Sequence, residues 1–152
     1  MADEKVAELL YEVYAAEIHA IGQYIDHHAR CADMGYAKLA EEFEKEAQDE
    51  MKHAEQVLER LLFLEAPVIY LKHGAPEPIT DVPTMLAADL ELERNAIDRL
   101  NAGIKLCFEA GDHGTRMLLE ELLSSEEEHF DSLRRHLDLI KEHGKQYLLV
   151  RG

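Results

Sequence analysis

The chain has 152 residues, enough for one domain with a full-sized core, and carries a formal net charge of −16. That charge argues against nucleic acid as a direct partner, because phosphates would be repelled, and fits either a solvated acidic surface or a field that concentrates cations. Apolar runs stay as short as Leu61-Leu62-Phe63-Leu64, which excludes a membrane span, and the opening Met-Ala-Asp-Glu-Lys has no apolar signal core, so a soluble cytoplasmic protein is expected.

Ala, Leu, Glu, Lys and Arg dominate and only four Pro occur, so the fold class expected is all-α. The first helix is predicted over about 3–33. Val6, Leu9, Leu10, Val13, Ala16, Glu17, Ala20, Ile21 and Tyr24 follow the three-four spacing of one buried stripe, and Gly35 stops it. Glu17 lies inside that stripe, where a lone carboxylate is costly unless something pairs with it. The second helix is predicted over about 36–65, closed by Ala66-Pro67; its stripe runs Leu39, Phe43, Glu46 or Ala47, Glu50, His53, Ala54, Val57, Leu61, Leu64.

Pro67, Gly74, Pro76 and Pro78 mark a connection over 66–82. Some 16 extended residues reach roughly 50 Å, whereas a 29-residue helix is about 43 Å long. The connection can therefore run the length of a bundle. The third helix is predicted over about 83–110, with Leu86, Leu90, Glu93, Ile97, Leu100 and Ile104 inward. After the Gly111-Asp112-His113-Gly114 turn, the fourth covers about 115–143, with Leu118, Leu119, Leu122, Glu126, His129, Leu133, Leu137 and Ile140 inward. Two short-turned hairpins joined by one long crossover give an antiparallel four-helix bundle. The tail, 145–152, is long enough for two turns at most, and its Tyr147-Leu148-Leu149-Val150 is too apolar to hang free.

Glu50-x-x-His53 puts a carboxylate and an imidazole on one helix face about a turn apart, and Glu126-x-x-His129 repeats the device. With nine His and 22 Glu in the chain, roughly one such motif arises by accident. The repeat changes that. An offset of 76 residues carries Glu17 to Glu93, Glu50 to Glu126, His53 to His129, Val6 to Val82, Leu10 to Leu86, Ile21 to Ile97, Cys31 to Cys107 and Gly35 to Gly111. The two Cys occupy matching sites of two related halves and read as ordinary reduced, semi-buried thiols.

Glu17 lies 18 residues before Gly35, with Glu50 and His53 15 and 18 after it, and Glu93, Glu126 and His129 stand in the same relation to Gly111. All six side chains thus converge at mid-bundle height. Four carboxylates in a core demand cations, and two divalent metals would balance them. Oxygen ligands with one imidazole per metal suit iron or manganese better than zinc, and leave open positions for oxygen or peroxide.

Over nearly its whole length the chain resembles a bacterioferritin. The residues that carry the likeness are Glu17 with Gln23-Tyr24, Asp49-Glu50-Met51-Lys52-His53-Ala54, Leu61-Leu62-Phe63-Leu64-Glu65, Asp89-Leu90-Glu91-Leu92-Glu93 and Glu126-Glu127-Glu128-His129. The resemblance implies a single ferritin-like domain over 1–152, with two irons bridged by Glu50 and Glu126 and held terminally by Glu17, His53, Glu93 and His129. It implies oxidation of Fe(II) to Fe(III) by O2 or H2O2 and storage of ferric mineral in a closed homo-oligomeric shell, with a small ferredoxin as reductant. It also implies that Met51 and its twin from a two-fold-related subunit ligate a haem between them. By spacing alone Met51 is turned about 100° from Glu50 onto a lateral face, where a thioether usually fills a gap. Tyr24 reads by default as packing, with a redox role as the alternative.

The chain departs from the resemblance at its tail, because the family carries a fifth helix that lines the four-fold axes of a 24-subunit shell. The short tail tips the expectation narrowly towards 12 subunits. Rival readings are a rubrerythrin-like peroxide reductase, which would bring a Cys-x-x-Cys domain that this sequence lacks, a manganese catalase, and a haem electron carrier or structural bundle without storage.

Overall fold

A computed structural model describes residues 3–67 and 77–152. Among the described residues there are five helices and no strand: α1 (Glu4–Asp33), α2 (Ala37–Phe63), α3 (Val82–Ala110), α4 (His113–His143) and α5 (Lys145–Arg151). The fold is the all-α four-helix bundle that the stripes predict, in the form the resemblance implies. Local chemistry sets most helix ends. The Asp3 carboxylate accepts from the Lys5 amide at 2.8 Å, and Asp81 accepts from the Thr84 amide at 3.1 Å. Asp112 does the same for Thr115 at 3.0 Å, so α4 starts two residues earlier than expected. Gly111, at φ +71, closes α3 in the left-handed conformation that costs glycine nothing. α2 ends at Phe63, short of the expected 65, because Glu65 turns left-handed at φ +55 and the Ala66 amide folds back to the Leu61 carbonyl.

Side-chain ties fix the helix directions. His27 meets Asp89 and a Cβ on Gly103 would meet Leu9, so α1 and α3 run antiparallel. Ser132 and His136 meet Glu42, while Arg60 meets Asp112 and Thr115, so α2 and α4 run antiparallel too. It follows that α2 ends and α3 begins at opposite ends of the bundle, and the long crossover joins them. Its stretch 68–76, with Gly74 and Pro76, lies outside the described residues.

The core is two apolar layers. Val6, Leu10, Val57, Leu61, Leu100, Leu119 and Cys107 belong to one, and Tyr24, Phe43, Met85, Leu86, Leu133 and Cys31 to the other. The buried carboxylates lie between them. Both thiols are fully buried, not semi-buried as expected, one in each layer, and burial pushes each up to about 11.

The tail forms two turns of helix docked on its own bundle. Leu148 is buried and the Tyr147 hydroxyl meets His136 at 2.6 Å, but Leu149 and Val150 stay 78% and 68% exposed. Within one chain only half of the apolar quartet is therefore covered. The α5 end also caps α2, whose own N-cap residue Tyr36 offers no side-chain bond: the Lys38 and Leu39 amides donate to the Gly152 carbonyl at 2.9 and 3.1 Å.

Candidate metal centre

Each long helix carries polar residues on its buried stripe at mid-height, and the bundle brings them together. Glu17, Glu50, His53 and Glu126 offer ligand atoms within 4.8 Å of one another, and so do Glu50, Glu93, Glu126 and His129. The two sets share Glu50 and Glu126. All six residues are buried, none more than 7% exposed. The His53 Nδ1 pairs with Glu126 Oε1 at 2.9 Å and lies 3.6 Å from Glu50 and 3.7 Å from Glu17. The His129 Nδ1 stands 3.0 Å from Glu50 Oε1, without hydrogen-bond alignment, and 3.5 Å from both Glu93 and Glu126. The repeat in the sequence thus becomes an approximate two-fold relation in space.

Outside these six, a second tier holds them. The Tyr24 hydroxyl donates to Glu93 Oε1 at 2.5 Å while its ring stacks on Phe43. Asp49 Oδ2 lies 3.0 Å from His129 Nε2, which orients that ring. Asp89, a turn before Glu93 and fully buried, is held at 2.7 Å by Gln23 and at 2.8 Å by His27. Glu46, a turn before Glu50, is 4% exposed. Sequence reasoning left Glu46 undecided against Ala47 and gave Asp89, Gln23 and His27 no role. The signal was present: both acids sit one turn from a proposed ligand on the buried stripe. Met51 lies away from the centre, 52% exposed, as its rotation from Glu50 requires.

So much buried acid needs compensation. Burial pushes Glu17 well above the usual carboxylate range, with Glu50 adding to it, and pushes Glu93 up to about 8, with Glu126 adding. Burial works against ionising Glu50 too, but the neighbouring Glu17 carboxyl and the His129 and His53 rings outweigh it and hold it at about 2. Burial likewise opposes a charge on His53, yet Glu126, Glu17 and Glu50 raise it to about 12, and Glu126, Glu50 and Glu93 raise His129 further still. Of the six residues only the two imidazole rings can carry positive charge.

They do not satisfy the cluster. Glu17 Oε2, Glu50 Oε1, Glu93 Oε2, Glu126 Oε2 and His129 Nδ1 are buried with no hydrogen-bond partner in the protein. Unpaired acceptors of this density, converging from four helices, suit cations rather than more protein. Eight donors arranged as two sets of three oxygens and one nitrogen, with two carboxylates common to both, fit a pair of divalent ions. A zinc site would lean to His and Cys, and both Cys lie in the apolar layers. A groove of about 750 Å³ between α1 and α3 leads in from the surface to Glu17, Glu50 and Glu126.

The sequence profile of the ferritin-like domain matches residues 7–142. The chain is 34% identical to a bacterioferritin of Mycobacterium bovis over 95% of its own length and 91% of that protein. It is 37% identical to a bacterioferritin of Streptomyces coelicolor over 97% of its length and 88% of the relative. To a bacterioferritin of Brucella melitensis it is 33% identical, over 95% and 89%.

Proposed function

The chain belongs to the bacterioferritin family of ferritin-like proteins, and from that premise we propose that it takes up Fe(II), oxidises it at the six-residue cluster and stores the product within a closed shell of its own copies. The observation that carries this reading is the pair of overlapping ligand sets sharing Glu50 and Glu126. Glu50 and Glu126 would bridge two ions; Glu17 and His53 would complete one position, Glu93 and His129 the other. Two Fe(II) ions held there would give up one electron each, reducing O2 to H2O2, or H2O2 to two waters, with two protons taken from solvent, and would become Fe(III) for the mineral.

What the protein contributes is geometry and charge. The four helices hold the ligands before any ion arrives, so little reorganisation is needed on binding. Tyr24 fixes one oxygen of Glu93 and leaves the other free for the ion. Asp49 fixes the His129 ring from its far nitrogen. The net charge of −16 draws cations towards the chain. The groove between α1 and α3 offers a path to Glu17.

The exposed Met51 suits a second group. A thioether half-open to solvent fills no gap within its own chain, and Met is a known axial ligand of haem iron. With its twin across a two-fold contact, Met51 would hold one haem per two subunits, able to pass electrons through the shell; a small ferredoxin is the reductant the family suggests.

Oxidation is tested with Glu50→Ala and Glu126→Ala. Either leaves an incomplete bridge and should slow the initial rate of Fe(II) oxidation by at least about a hundredfold while helix content is kept. Wild-type initial rates in either variant would reject the reading.

A further inference from the structure

α1 and α3 face each other across the groove that leads to the centre. Ala15, Ala16 and Ala20 line it on one helix and Ala88 and Ala96 on the other. Methyl groups cannot interlock across an open groove, so the spacing of the two helices must be set elsewhere. It is set at the ends. The lining runs from Glu12 to Gln23 on α1 and from Ala88 to Leu100 on α3. Beyond one end, a Cβ on Gly103 would come within 2.2 Å of Leu9 Cδ2, so the two helices close tightly there. At the other, Asp89 of α3 takes two side chains of α1. Gln23 Nε2 donates to Oδ1 at 2.7 Å, and His27 Nδ1 meets Oδ2 at 2.8 Å.

The contact at Asp89 is closed to water. Asp89 and His27 are fully buried, and Gln23, itself buried, stands at the rim of the groove. His27 Nε2 is buried without a partner, so the hydrogen bonding of that ring rests on Asp89. Phe43 of α2 packs edge-on against His27, with 5.6 Å between ring centres, and leaves the ring no room to turn away. None of the three polar residues belongs to either ligand set. Removing the Asp89 carboxylate would orphan two buried side chains, and the cheapest relief is for α1 to part from α3 and admit water.

We propose that Gln23, His27 and Asp89 form a clasp that holds α1 against α3 and so limits the size of what reaches the centre from the surface. Ions, O2 and H2O2 pass the held groove, whereas a bulkier chelator passes only when the clasp opens. All three are positioning residues: they touch neither ion nor oxidant and act through the distance between two helices. The consequence is protection of the bound ion. A net charge of −16 repels anionic chelators but not neutral ones, and the clasp excludes these by size. The proposal rests on the reading of the cluster as an ion site and of the groove as its path.

The test strips Co(II), which is coloured and does not turn over, from the loaded, assembled protein with bipyridine, a flat neutral chelator. Removal that follows spontaneous release is independent of chelator concentration, whereas removal by entry through the groove rises with it. Asp89→Ala should raise the concentration-dependent rate by about tenfold to a hundredfold, as the loss of two buried hydrogen bonds shifts an opening equilibrium. Its Co(II) bands before stripping should match wild type. Asp89→Asn can accept from Gln23 and donate to the other tautomer of His27, so it should stay near the wild-type rate. A merely structural role would loosen the ligands and raise only the concentration-independent rate. That result, an unchanged rate in folded Asp89→Ala, or an Asp89→Asn protein as fast as Asp89→Ala would overturn the clasp. Gln23→Leu keeps the bulk, drops one bond and carries the test if Asp89→Ala does not fold; it should give a smaller rise, and no rise would overturn the clasp. Ala16→Leu fills the groove and should abolish the concentration-dependent route; its persistence would sink the groove as the path and the clasp with it. If wild-type protein bound no Co(II), the ion-site reading itself would fall.

Discussion

Glu50 and Met51 are neighbours in sequence with opposite fates, and a 100° step of the helix is the reason. Glu50 is 1% exposed among carboxylates and imidazoles, whereas Met51 is 52% exposed. A side chain that half-open contributes little to the packing of its own subunit, so its replacement by an isosteric apolar residue should be quiet in every assay but one. Met51→Leu keeps the volume and removes the sulfur. It should abolish the haem absorption bands while Fe(II) oxidation continues near the wild-type rate. Haem bound at wild-type stoichiometry in this variant would remove Met51 from the proposed role.

At the scale of elements, the bundle is held at both ends by buried or half-buried polar ties. At one end Arg60 donates to Asp112 at 2.9 Å and to Thr115 at 2.9 Å, locking the close of α2 to the start of α4. At the other, Glu42 on α2 accepts from Ser132 at 2.6 Å and pairs with His136 at 2.6 Å, and His136 in turn meets Tyr147 of α5. This second tie predicts a pH dependence. Burial raises Glu42, but His136 and Ser132 outweigh it and hold the carboxylate below its ordinary value of 4.5. A carboxylate held low contributes stability that is present above the ordinary value and is lost as pH falls through the lowered one. Wild type should therefore be more stable than Glu42→Gln at neutral pH, and the two should converge as pH falls below the ordinary carboxylate value and through the lowered one. Denaturant unfolding at a series of pH values reads this directly. A gap that stays constant from pH 7 to pH 3 would mean that the charge of Glu42 does not hold the tie.

At the scale of the whole molecule, surfaces left open by one chain point to more copies. Leu62, Phe63, Phe108 and Met117 are more than half exposed, and Leu149 and Val150 extend the set on α5. Apolar side chains of this size in solvent favour association, and closed point-group symmetry limits the sizes available. A closed shell is therefore expected in native mass spectrometry. Twelve copies of the 17.4 kDa chain weigh about 209 kDa and twenty-four about 418 kDa, without iron or haem. A stable monomer or dimer would leave no cavity for mineral and would sink the storage proposal with it.

The sequence by itself determined the helices, much of their buried faces and the six residues that meet between the apolar layers. Each of those depends on local information: three-four spacing, a Gly or Asp at a helix end, and a repeat whose equal distances from Gly35 and Gly111 force its members to one height. It did not determine what lies across a helix interface. That Glu46, Asp89 and His27 are buried beside one half of the centre, with Leu122, Val13 and Gly103 beside the other, depends on how α1 meets α3 and α2 meets α4. These contacts join residues such as His27 and Asp89, 62 positions apart. The capping of α2 by the Gly152 carbonyl is of the same kind, for no pattern near Tyr36 announces a partner from the far end of the chain. Tertiary structure decided these points because a buried polar group must find its partner in space, and the chain supplies that partner from wherever the packing brings it.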